Sequence, residues 1–169
     1  MCIRDSSYVD AAKTASGLPV LRKDFTVSPL DVVDARLMGA DCVLLIAAAL
    51  DDDELGNFFQ LTKSLSMDAL FEVHSEAELK RVLELSPTLV GVNQRDLVTF
   101  EVDPNRAAAL GALLPDGIIK VAESGISSAS QLTELAAAGF TAGLIGESLV
   151  TAKNPAELLS DLAATKLPV

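Results

Sequence analysis

Six short apolar runs, each followed by a longer segment with helical signals, constrain this chain more than any other feature. The runs cover residues 18–21, 42–46, 69–73, 89–92, 118–121 and 143–145. They do not alternate apolar with polar residues, and most carry β-branched side chains. Near-continuous hydrophobicity of this kind marks strands covered on both faces, as in parallel sheets.

The intervening segments have readable ends. Ser28-Pro29 supplies an N-cap and a proline for the first helical position, and Gly39 suits the residue beyond the C-terminus. Ser75-Glu76-Ala77-Glu78 reads as a capping box opening a helix over 76–85. Asp103-Pro104 opens the next helix. Ser127 or Ser128 opens another, which Gly139 closes, and Asn154-Pro155-Ala156-Glu157 caps the last. The acidic run 51–54 suits the positive end of a helix dipole better than a metal site. From Leu18 onward the order is therefore strand then helix, six times, with no Gly/Ser linker or Pro-rich tract. This is an α/β chain with a parallel sheet, closed either as an open doubly wound sheet or as a (β/α)8 barrel.

Polar residues gather where the strands run out. Arg22-Lys23-Asp24 follows the first run, and Glu72 and His74 close the third. Asn93-Gln94-Arg95 follows the fourth, Glu123-Ser124-Gly125 the fifth and Gly146-Glu147-Ser148 the sixth. In a parallel sheet all these ends lie on one side. Spreading polar groups over five strand ends favours the barrel, whose chemistry sits on that face, over an open sheet with one switch point. Each group also has a plainer reading. Lys23 fits a solvated charge, Asn93 a turn residue, Arg95 and Asp96 a surface ion pair, and His74 a capping or rim residue. Glu72 and Glu123 are harder to dismiss, because each follows apolar neighbours where an unpaired carboxylate is expensive. The glycines of Ser124-Gly125-Ile126 and Gly146-Glu147-Ser148 let backbone N–H groups approach an anion, and helix starts follow both.

Composition narrows the partners. Half of the residues are hydrophobic and mean hydropathy is +0.37, enough for a core. With 13 Lys plus Arg against 24 Asp plus Glu, the net charge of −11 argues against nucleic acid or an anionic membrane surface as partner. A small anionic ligand still fits, since a local site can be positive. No apolar run reaches the ~18–20 residues of a membrane helix, and the first residues lack a signal-peptide core. Cys2 and Cys42 form no metal spacing and no disulfide framework, and Cys42 reads as a small buried apolar residue. A reducing cytoplasm is the expected setting.

The ordered set 18–25, 71–74, 90–97, 121–126 and 144–149 resembles the indole-3-glycerol phosphate synthase family of tryptophan biosynthesis, over roughly residues 11–164. The resemblance implies a truncated (β/α)8 TIM barrel holding strands three to eight over 11–169, with 1–10 unassigned. It implies a decarboxylating ring closure of 1-(2-carboxyphenylamino)-1-deoxyribulose 5-phosphate, without metal or cofactor. Lys23, Glu72, Asn93 and Glu123 are similar to the family's catalytic positions, Arg95 and Ser124 to its substrate contacts. Gly125, Gly146 and Glu147 match the phosphate loops, where the Glu147 side chain should turn away from the anion. Gln94 stands where the family usually has Asn. The family's first strand, with a catalytic Lys and a Glu, has no counterpart here, so the 169 residues alone are expected to turn over poorly. The resemblance further implies a monomer, or fusion or association with other enzymes of that pathway. Two alternatives remain at this stage. One is another phosphate-binding barrel such as phosphoribosylanthranilate isomerase; the other is a non-catalytic phosphate-binding fragment.

Overall fold

The computed structural model describes residues 4–165. The chain divides into two compact units. One comprises the residues up to Glu72 together with Lys80–Pro87; the other comprises Val73–Leu79 and the residues from Thr88 onward.

In the first unit the order is α1 (Arg4–Ser16), β1 (Leu21–Arg22), α2 (Pro29–Leu37), β2 (Cys42–Ile46), α3 (Asp52–Ser64) and β3 (Asp68–Val73). The strands are parallel, in register from Leu21↔Cys42 and from Cys42↔Asp68 through Ile46↔Glu72. Four consecutive residues of β2 and five of β3 are buried, which is what helices on one face and core on the other impose. Val43, Leu45 and Phe71 form the centre, with Phe71 edge-on to Phe59 of α3 at 5.0 Å. Ser28 and Asp31 cap α2 reciprocally, as Asp51 and Glu54 cap α3. Arg81 ties the β2–α3 loop by donating to the carbonyls of Ala47 and Leu50 and to Asp52.

Two sequence expectations shift here. The run 18–21 yields only Leu21–Arg22 as strand. Pro19 has no N–H to donate, and the Val20 N–H is taken by the Asp41 carboxylate at 2.8 Å. Helix α4 (Glu76–Leu83) stops short of residue 85, because Leu85 and Ser86 turn back onto the carbonyls of Val82 and Leu83, with Ser86 at φ +53°.

The second unit runs β4 (Leu89–Asn93), α5 (Arg106–Gly111), β5 (Ile119–Glu123), α6 (Ala129–Ala137), β6 (Ala142–Leu144), α7 (Glu147–Thr151) and α8 (Pro155–Ala163). Its strands are also parallel, paired from Leu89↔Ile119 to Asn93↔Glu123 and from Val121↔Ala142 to Glu123↔Leu144. Asp103 does not cap α5; it forms a turn, its carboxylate accepting the Asn105 N–H, and Asn105 takes the cap position. β6 is only partly covered, unlike the fully buried ends of β4 and β5.

Candidate functional site

In the first unit, the carboxyl ends of β1 and β3 bring Lys23 and Glu72 together. Glu72 is 1% exposed, and its Oε2 lies 3.3 Å from the Lys23 ammonium, which is half exposed. The Glu72 carbonyl also accepts the Ala47 N–H, fixing the strand end. Lys23 is therefore a partly solvated charge that is also paired with a buried carboxylate. Beside it, Arg22 is buried and donates to the Asp31 carbonyl and to Asp24. A cavity of about 220 Å³ opens here, lined by Tyr8, Val9, Leu21, Arg22, Lys23 and Asp24.

In the second unit, Asn93 and Glu123 occupy paired positions at the ends of β4 and β5, and both are buried. The Asn93 Oδ1 accepts the Arg95 N–H, which gives Asn93 the turn role among its sequence readings. Arg95 does not pair with Asp96. Its guanidinium donates to the Phe100 carbonyl and pairs with Glu147. The Asp96 carboxylate instead accepts the Val98 and Thr99 N–H groups, which hold it below its ordinary range. His74, the only histidine, lies against Glu78: its N–H donates to that carboxylate and its Nδ1 is 3.3 Å away. Burial raises the Glu78 pKa, but the hydrogen bonds from His74 and Ser75 outweigh it and leave the group below its ordinary value. This is a helix-start role for His74, as the sequence suggested.

Ser124 and Gly125 are both left-handed, at φ +65° and +70°. A Cβ on Gly125 would meet the Val102 Cγ1 at 2.5 Å, so only glycine fits. The carbonyls of Ser124, Gly125 and Ile126 accept from Gln94 Nε2 (2.7 Å), Gln131 Nε2 (3.3 Å) and Ser148 Oγ (2.6 Å) respectively. Gly146 stands at the start of α7, and the Glu147 side chain is turned onto Arg95. A second cavity of about 200 Å³ is lined by Gln94, Asn105, Gly125, Ile126 and Gln131. Both cavities are below the ~300 Å³ at which ligand pockets usually begin, so each suits a fragment of a ligand, such as a phosphate. Gln131 escaped the sequence reading; the Ser128-to-Gln131 spacing of a capping box was its one signal. Among the described residues no cluster of three metal-binding side chains exists.

The first unit thus presents an ammonium positioned on a buried carboxylate, and the second a buried carboxylate beside a loop whose backbone N–H groups suit an anion. Comparison with known proteins identifies the family. A family model described as indole-3-glycerol phosphate synthase matches residues 5–162. An indole-3-glycerol phosphate synthase of Micrococcus luteus is 49% identical over 161 residues, covering 95% of this chain and 60% of the relative. One from a Parafrankia species is 47% identical, covering 91% and 58%. The chain thus spans about three fifths of the length of the curated relatives it matches. Among solved structures, 3-hexulose-6-phosphate synthase from Salmonella typhimurium superposes with a TM-score of 0.74 at 14% identity, covering 95% of this chain and 79% of that one. That likeness concerns the fold alone.

Proposed function

Because the chain belongs to the indole-3-glycerol phosphate synthase family, we propose that it carries most of the machinery for the decarboxylating ring closure of 1-(2-carboxyphenylamino)-1-deoxyribulose 5-phosphate, which yields indole-3-glycerol phosphate, CO₂ and water. The observation that carries the reading is the Lys23–Glu72 pair, a half-exposed ammonium anchored on a fully buried carboxylate at the ends of β1 and β3. Lys23 is the proton donor toward the substrate carbonyl, and Glu72 holds its ammonium in place. Glu123 accepts a proton, and Asn93 orients a hydroxyl or carboxylate of the substrate. Arg95 and Ser124 contact the substrate. The N–H groups at Gly125, Gly146 and Glu147 hold its phosphate, with the Glu147 carboxylate kept off the anion by Arg95. On this reading the six strands are the third to eighth of a (β/α)8 barrel, and the isomerase alternative loses its support.

The test joins the chain to the part of the Micrococcus luteus relative that it does not span. Indole-3-glycerol phosphate formation is then followed by fluorescence, beside the 169-residue chain alone. The joined protein should turn over substrate, and Lys23→Ala, Glu72→Gln or Glu123→Gln should each cut kcat by about 10²–10⁴-fold. A folded joined protein with no turnover, or variants that keep full kcat, would refute the assignment.

A further inference from the structure

Three successive carbonyls, those of Ser124, Gly125 and Ile126, are each held by a side chain from a different element. Gln94 reaches from the end of β4, Gln131 from α6 and Ser148 from α7. A trans peptide is planar, so its C=O and the following N–H point in opposite directions. Tying the Ser124 carbonyl to Gln94 fixes the direction of the Gly125 N–H. In the same way, Gln131 fixes the Ile126 N–H. The third peptide closes the set: its N–H, on Ser127, donates to Gln131 Oε1 at 2.8 Å. A single glutamine amide thus holds the Gly125 carbonyl through its nitrogen and the Ser127 and Ser128 N–H groups through its oxygen. The N–H groups of Gly125 and Ile126 find no acceptor among the described residues. Gln94, Gly125, Ile126 and Gln131 all border the 200 Å³ cavity.

We propose that Gln94, Gln131 and Ser148 are positioning residues of the phosphate loop, gripping its carbonyl side so that the N–H groups of Gly125 and Ile126 are set for the anion before it arrives. The inference rests on the phosphate reading of this loop given above, and it explains a choice of residue that reading leaves open. A helix cap alone would need only the oxygen of residue 131. Glutamine adds a donor, and that donor goes to the Gly125 carbonyl. Likewise, Gln94 directs its amide nitrogen to the Ser124 carbonyl at 2.7 Å.

Inorganic phosphate is titrated into the ¹⁵N-labelled 169-residue chain, and the amide signals of Gly125 and Ile126 are followed. In the parent chain these two signals should move together and saturate. Gln94→Leu and Gln131→Met each remove a carbonyl donor and should weaken phosphate binding roughly threefold to tenfold, the loss expected for one net hydrogen bond. Ser148→Ala, which acts one peptide further from the free N–H groups, should weaken it less. A fourth variant, Asp51→Ala, deletes a helix cap in the other unit and should leave phosphate affinity unchanged, which separates positioning from general loss of stability. Should Gln131→Met fail to fold, Gln94→Leu and Ser148→Ala still decide the matter. Parent-like affinity and parent-like Gly125 and Ile126 shifts in folded Gln94→Leu or Gln131→Met would overturn the positioning role and leave the phosphate loop standing. Absence of phosphate shifts at Gly125 and Ile126 in the parent chain would overturn both.

Discussion

Gly125→Ala is the sharpest perturbation the structure offers. Two costs add at this position. At φ +70° an alanine sits in the left-handed region, which costs roughly 1–2 kcal/mol. Its Cβ would also lie 2.5 Å from Val102 Cγ1, about 1 Å inside ordinary carbon contact. Val102 cannot retreat through its backbone, because it bridges to Arg95 and the next residue, Asp103, donates to the Gln94 carbonyl. Relief must come from rotating the valine, at an overpacking cost of about 1–3 kcal/mol. Together these give about 2–5 kcal/mol, a large share of the ~5–15 kcal/mol that holds a domain folded. Urea unfolding followed by circular dichroism measures it. The double variant Gly125→Ala/Val102→Ala should recover the overpacking share and keep the left-handed penalty, since Val102 is itself partly exposed. The reasoning fails if Gly125→Ala loses less than about 0.5 kcal/mol, well below the smaller of the two costs, or if Val102→Ala restores nothing.

Other outcomes follow from features described above. Arg81→Met removes donors to two loop carbonyls and to Asp52, and should destabilise the chain by about 2 kcal/mol or more in the same assay. Asp51→Ala deletes one half of the α3 capping box and should cost about 0.5–2 kcal/mol. Burial pushes the Cys42 thiol up to about 12, so iodoacetamide should label Cys42 in the native chain far more slowly than in urea, as read by peptide mass spectrometry. The Glu78 carboxyl lies below its ordinary value. Its stabilising effect is full above the unfolded value of ~4.3 and is lost as pH falls through the lower folded value. An NMR titration of Glu78 should accordingly show a midpoint below ~4.3, and His74→Ala should move that midpoint upward.

The strand positions were legible because a buried parallel strand writes itself as an unbroken apolar run. β2 falls where the run predicts, and β3, β4 and β5 lie within two residues of it. Glu72 and Glu123 stood out for the same reason in reverse, as carboxylates amid apolar neighbours. Helix α1 left no such mark: between Arg4 and Ser16 the only large apolar residues are Tyr8 and Val9, too few to make a stripe. The Arg95 partner was illegible as well. Asp96 is adjacent in sequence, but its oxygen is taken by the turn it initiates, and Glu147 is brought to Arg95 by the fold. Gln131 was hidden because its second hydrogen bond, to the Gly125 carbonyl, depends on two consecutive left-handed residues that sequence periodicity does not encode.

Within each unit a strand pairs with the next strand in the chain, after one intervening helix. The paired residues are roughly 20–30 positions apart, so loop closure costs nearly the same at each step, growing only as the logarithm of length. A ribosome adds such a stretch in a few seconds, at about 5–20 residues per second. Hairpins and helices form in microseconds. The nascent chain can therefore lay down β1 against β2, and β4 against β5, in the order of synthesis, each new strand finding its neighbour already waiting. Pulse-labelling of ribosome-bound chains of increasing length should then show protection advancing one strand–helix step at a time within each unit.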